Sequence, residues 1–171
     1  NLYAFVGLKG DGSISAWGSS DWGGSGAPTD NGYVDVFSTY YAFAARKADG
    51  SISVWGKSSW GGSGAPTDNG YVTISSTTRA FVARKADGSI TAWGDSNYGG
   101  SAPSGTFVNV FSSYYAFAAL KADGSITAWG DSNWGGSGAP SGTGFVNIFS
   151  TFYAFAALKD DGSIPAWGVF P

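Results

Sequence analysis

The 171-residue chain contains no cysteine, histidine, methionine or glutamate. Without histidine and cysteine it lacks the usual general base and thiolate nucleophile, and it has neither a disulfide framework nor soft metal ligands. Charged residues make up only 12% of the chain, and twelve aspartates against nine lysines and arginines leave a net charge of −3. That is the wrong sign for neutralising phosphates, which weighs against nucleic acid as a partner. No apolar run approaches the roughly 20 residues of a membrane-spanning helix, so helical membrane insertion is not expected. No segment carries helical periodicity either. The lack of thiols suits an oxidising exterior, so an extracellular or cell-surface location is the expectation. The chain begins at Asn1 rather than Met, which points to processing or to a fragment of a longer repeat protein.

What the chain does have is aromatic residues, at 17%, and 28 glycines. They are arranged periodically. Asp-Gly-Ser begins at Asp11, Asp49, Asp87, Asp123 and Asp161, spacings of 38, 38, 36 and 38 residues. A fixed period of this length marks a propeller, solenoid or array built from one repeated supersecondary brick. The units run over 1–39, 40–77, 78–113 and 114–151, with a partial copy at 152–171, in a single repeat domain. The third unit is two residues shorter, and the loss falls in "GGSAPSGTF" (99–107), which labels that stretch a surface loop.

Each unit offers three short strands, so the fold class is all-β. "YAFAARKA" runs into Asp49-Gly50 and then "SISVWG", and Asp-Gly between two apolar runs predicts a two-residue hairpin turn. Counting outward from that turn pairs Ala44 with Trp55 and, likewise, Val6 with Trp17, Val82 with Trp93, Ala118 with Trp129 and Ala156 with Trp167. Each indole is then expected over a small residue. The third strand is "YVDVFS" (33–38) and its copies at 71–76, 107–112 and 145–150. Between second and third strands lies a Gly-rich loop ending in Ala-Pro, too broken for helix. Four complete three-stranded sets result: 33–56, 71–94, 107–130 and 145–168. The hairpin at 3–17 is left without a third strand, to be completed by the chain end "VFP" as a clasp or left open as an edge for another molecule. An open β-repeat array is the alternative to propeller-like blades. Pro165 stands where other units have Ser or Thr and blunts the far edge.

"AALKADGSITAWGDSNWG" (118–135) resembles the repeat of the regulator of chromosome condensation family, which runs Ala-Leu, Asp-Gly, a short apolar strand and Trp-Gly. The resemblance covers nearly the whole chain and implies β-propeller blades. The chain departs from that pattern at "STYYAFAA" (38–45), where the family places a Gly-rich turn and a His, and at Gly-Gly-Ser, where the family has Gly-Gln-Leu-Gly. Its units are also shorter and too few for a seven-bladed ring. Tandem repeats of microbial surface proteins resemble it more closely. The nucleotide-exchange activity of the founding family therefore has little claim here.

No residue set specifies catalysis. A Lys two places before each turn Asp (Lys9, Lys47, Lys85, Lys121, Lys159) invites reading as a dyad, but turn chemistry explains the Asp by itself. "DSNYG" (95–99) and "DSNWG" (131–135) have oxygen-ligand spacing, yet the copies are "SSDWG" and "KSSWG", and the closing Glu is missing. No metal and no cofactor is expected. The functional candidates are aromatic. Trp22, Trp60, Tyr98 and Trp134, flanked by Asn97 and Asn133, recur in the Gly-rich loops and offer ring faces and polar groups suited to glycans. Leu2, Tyr3, Ala4 and Phe5, with Val169 and Phe170, form the candidate assembly edge. The expected function is a non-catalytic scaffold binding copies of itself or surface proteins; a multivalent lectin is the alternative.

Overall fold

A computed structural model describes residues 1–169. It is all-β, with five small antiparallel sheets in chain order. The first is a hairpin of β1 (Ala4–Leu8) and β2 (Ile14–Gly18). Four three-stranded sheets follow: β3 (Tyr33–Ser38), β4 (Ala42–Lys47) and β5 (Ile52–Gly56); β6 (Tyr71–Ser76), β7 (Ala80–Lys85) and β8 (Ile90–Gly94); β9 (Asn109–Ser112), β10 (Ala116–Leu120) and β11 (Ile126–Gly130); β12 (Phe145–Ser150), β13 (Ala154–Lys159) and β14 (Ala166–Gly168). In each the strand after the turn loop, the "YVDVFS" copy, leads and pairs with the second strand. The Gly-rich loops are less irregular than the sequence suggests. Each carries one turn of 3₁₀ helix, at Ser20–Trp22, Ser58–Trp60, Ser96–Tyr98 and Ser132–Trp134, closed by a left-handed glycine.

The hairpin register differs by one residue from the count made above. Phe43 faces Trp55, Ala44 faces Val54 and Arg46 faces Ile52. The turn itself explains the shift. Gly50 N–H donates to Lys47 C=O at 2.9 Å and Lys47 N–H to Ser51 C=O at 2.9 Å, enclosing three residues, Ala48 to Gly50, rather than two. Only the glycine has positive φ, at 82°, and among the described residues no non-glycine residue does. Asp49 is chosen for its side chain, which accepts from Ser51 N–H at 2.9 Å and Ser51 Oγ at 2.7 Å, an Asx-type turn rather than a left-handed residue. Moving the register by one residue swaps the partner of every indole. Trp55, Trp93, Trp129 and Trp167 therefore stack on Phe43, Phe81, Phe117 and Phe155, at centroid separations of 5.3 to 5.4 Å, and not over Ala44, Val82, Ala118 or Ala156.

Adjacent sheets pack face to face with one repeated formula. The second-strand alanines and the Ile-rich outer strand of one sheet, such as Ala42, Ala44, Ile52 and Val54, cover the Tyr, Phe and Trp face of the next, Tyr71, Phe81 and Trp93. Two further contacts latch the sheets. The three buried indoles and the half-buried Trp129 each donate through Nε1 to a glycine carbonyl in the preceding loop: Trp55 to Gly23, Trp93 to Gly61, Trp129 to Gly99 and Trp167 to Gly135, at 3.0 to 3.1 Å. Those glycines lie on the partner Phe ring, where a Cβ at Gly61 would come within 2.5 Å of Phe81. Near the axis, backbone bonds link the sheets in sequence: Leu2 N–H to Tyr40 C=O, Tyr40 to Thr78, Thr78 to Tyr114 and Tyr114 to Phe152, at 2.9 to 3.2 Å.

The ladder ends at Phe152, and among the described residues no strand pairing joins the first hairpin to the last sheet. Val169 N–H donates to Tyr153 C=O at 3.1 Å, continuing the last hairpin instead of clasping β1. Phe170 lies outside the described residues. Pro165 shortens β14 but still accepts from Ala157 N–H at 3.0 Å, as an edge proline can.

Candidate functional site

The loop aromatics join a second set of which the sequence reading singles out only Tyr3, as an assembly-edge residue. Tyr3, Tyr41, Arg79, Tyr115 and Tyr153 occupy one position of every unit, immediately before the second strand. Loop and strand-entry residues alternate in an arc. Trp22 meets Tyr41 at 4.1 Å, Tyr41 meets Trp60 at 4.2 Å, Tyr98 meets Tyr115 at 4.6 Å, and Trp134 lies 4.7 Å from both Tyr115 and Tyr153. In the middle unit Arg79 replaces the tyrosine, its guanidinium carbon 4.2 Å from Trp60 and 4.3 Å from Tyr98. Asp95 Oδ2 lies 3.8 Å from Arg79 Nη1 on the outer side. Crowding acts on the phenols: burial raises the pKa of Tyr115, and the hydrogen bond shared with Tyr40, followed by burial, raises that of Tyr114.

A sugar needs an open ring face, and here the faces are largely taken by neighbouring rings. Trp60 lies between Tyr41 and Arg79, and Trp134 between Tyr115 and Tyr153. Trp22 carries Lys57 Nζ at 5.4 Å over its ring. Asn97 and Asn133 are exposed, and their backbone N–H groups donate to Asp95 and Asp131 carboxylates at 3.1 and 2.9 Å. The Asp-x-Asn spacing is thus a cap for the 3₁₀ turn. The turn lysines do not pair with the turn aspartates: Lys47 bonds Asp30 and Lys85 bonds Asp68, whose carboxylates also accept from Tyr33 and Tyr71.

The assembly-edge residues Leu2 to Phe5 lie in four different environments. Leu2 is exposed with its N–H in the axial ladder, Tyr3 stacks on Tyr41 at 5.6 Å, and Ala4 is buried against the second sheet. Phe5 stacks on Trp17 at 5.8 Å, and the pair is open to solvent. Phe5 is 64% and Trp17 53% exposed, where Phe43 and Trp55 are 3% and 4%. The last sheet shows the opposite half of the contact: Phe149 and Ile164, counterparts of Phe37 and Ile52, are 53% and 62% exposed. Around the ladder lies an open cavity of about 560 Å³, lined by Ser, Thr and Tyr hydroxyls with Leu2 and Phe152 and by no charged side chain. Tyr40 Oη donates to Tyr114 Oη across it at 2.7 Å. Among the described residues no three acidic side chains gather as a metal site.

No protein-family model and no curated protein matches the chain. Solved structures do. The CRINKLY WD40 ectodomain of the Arabidopsis thaliana receptor kinase ACR4 superposes with a TM-score of 0.66 at 20% identity, over 99% of this chain and 62% of that one. The ectodomain of the Physcomitrella patens receptor kinase CR4 gives 0.68 at 21%, over 97% and 50%. Prp20p from Saccharomyces cerevisiae gives 0.64 at 15%, over 97% and 55%. The chain spans half to five-eighths of these proteins, and the fold it shares with them is an RCC1-like repeat of propeller blades.

Proposed function

We propose that this chain is a non-catalytic β-repeat scaffold that associates end to end with copies of itself. One observation carries the reading. The first hairpin presents the Phe5 and Trp17 face that every interior sheet buries, and the last sheet presents the alanine, Phe149 and Ile164 face that does the burying. The two ends are complementary halves of a contact repeated throughout the interior. A contact between unlike faces is heterologous, so it grows into a ring or a filament. The single repeat domain over 1–171 acts as the building unit. Protein binding accords with neighbours of this fold, since yeast RCC1 (Prp20) has been solved bound to Kap60. An extracellular setting accords with a chain that has no thiol to oxidise.

The test is sedimentation velocity over a wide concentration range. Wild type is expected to shift to larger species as concentration rises, while Trp17→Asp and Ile164→Asp each remain monomeric. Mixing the two variants restores one intact pair of ends, so the mixture stops at a dimer. A wild type that stays monomeric at every concentration, or variants that assemble as well as wild type, overturns the reading.

A further inference from the structure

β1 is a second strand with only one neighbour. Its counterparts β4, β7, β10 and β13 are each paired on both sides, whereas among the described residues β1 pairs with β2 alone. Pairing direction alternates along an antiparallel strand. Lys9 N–H bonds Ser13 C=O and Ser19 N–H bonds Tyr3 C=O, so odd positions of β1 turn their backbone to β2. Ala4, Val6 and Leu8 turn theirs to the open side. Asn1 fills the first rung: its Oδ1 accepts from Ala4 N–H at 2.7 Å, as Thr39 Oγ1 accepts from Ala42 N–H at 3.0 Å. Among the described residues the rungs at Val6 and Leu8 are empty.

Beside those rungs a groove of about 270 Å³ opens between β1 and β3, with Ala4, Val6, Val36, Phe37 and Phe43 in its walls and Asn1 and Ser38 adding polar groups. The next sheet shows what belongs there. Phe37 of β3 packs from the equivalent strand onto the cluster of Ile74, Phe81 and Trp93. An unpaired edge and a seat for an aromatic side chain thus lie side by side.

We propose that the open edge of β1 binds an extended segment of another protein chain by strand addition, antiparallel, with the pattern Tyr/Phe-Val-x-Val/Ile-Phe-Ser. The β3–β4 pairs Ser38 with Phe43, Phe37 with Ala44 and Val36 with Ala45 set the register. In that register the segment's Ser opposes Phe5, its Phe opposes Val6 and enters the groove, and its second Val or Ile opposes Gly7. Main-chain bonds at Val6 and Leu8 supply affinity, and the groove supplies selectivity. This site uses an edge, not the end faces, and does not depend on end-to-end association.

The probe is a labelled peptide, Gly-Tyr-Val-Asp-Val-Phe-Ser-Thr (residues 32–39), titrated into the whole chain carrying Ile164→Asp, with anisotropy as readout. Saturable binding is expected. It weakens about tenfold or more with Phe37→Asp in the peptide, and similarly with Val6→Pro in the protein, which removes an outward N–H and leaves the β2 ladder intact. On protein unaltered in β1, the Val6 and Leu8 amides gain hydrogen-exchange protection when the peptide is present. No saturable binding, equal binding of a scrambled peptide, or unprotected Val6 and Leu8 amides overturns the proposal. Because Ile164→Asp blocks the other contact, failure of the peptide to bind leaves the sedimentation result standing, and the converse holds.

Discussion

Trp93 and Trp17 sit in the same local sequence, Ala-Trp-Gly, and the structure predicts that removing them has very different consequences. Trp93 is 3% exposed, stacks on Phe81 at 5.3 Å and donates to Gly61 C=O at 3.1 Å. Trp93→Ala loses that burial and leaves a cavity between two sheets, a cost of about 3–5 kcal/mol. In a chain of this size each kcal/mol lowers Tm by about 2–4 °C, so a fall of roughly 6–20 °C is expected. Trp93→Phe keeps most of the apolar surface but orphans a buried carbonyl, about 1–3 kcal/mol. Trp17 is 53% exposed and its indole N–H makes no hydrogen bond among the described residues, and Trp17→Ala should stay within about 0.5 kcal/mol. Urea unfolding followed by far-ultraviolet circular dichroism, on dilute protein, gives all three values. If Trp17→Ala costs as much as Trp93→Ala, the indoles stabilise their own hairpins and the inter-sheet account of their role fails.

Gly61→Ala places a methyl group against the Phe81 ring at a residue with φ of 97°, so strain and overpacking add to a loss of about 2–4 kcal/mol, read by the same urea titration. Arg79→Ala removes a cation held between two rings and should cost about 1–2 kcal/mol, nearly independent of salt because the 3.8 Å Asp95 pair contributes little of that loss; Arg79→Tyr, which restores the residue type of the other units, should recover most of it. The turn aspartates Asp11, Asp49, Asp87, Asp123 and Asp161 have pKa values lowered by hydrogen bonds from the following serine, so their native state favours the carboxylate. Their contribution is complete above the unfolded pKa of about 3.9 and is lost as pH falls below it toward the folded values. Tm should therefore drop below about pH 4, and Ser51→Ala, which removes one of the two bonds to Asp49, should make that drop shallower.

Much of this architecture is legible without coordinates. The recurrence of Asp-Gly-Ser and of the "YVDVFS" strand gives the sheets and the unpartnered first hairpin. The register is not legible from the turn, because Asp-Gly admits both a two-residue turn and a three-residue turn with a left-handed glycine. Only the bond from Lys47 N–H to Ser51 C=O separates them. The repeat pattern as read also leaves out Tyr41, Arg79, Tyr115 and Tyr153, and takes Tyr3 only as an edge residue. Their constant place before the second strand was the available clue, disguised by the arginine. Which ring faces stay free depends on how neighbouring units stack, and no single repeat contains that information.

The indole-to-glycine latch always reaches back by one unit and never farther. Copying or deleting a whole unit in the gene would therefore regenerate every bond at the new junction, so chain length can drift in steps without any compensating change. A force applied to the two termini would likewise meet the same small obstacle many times over, peeling the molecule unit by unit instead of shearing it at once.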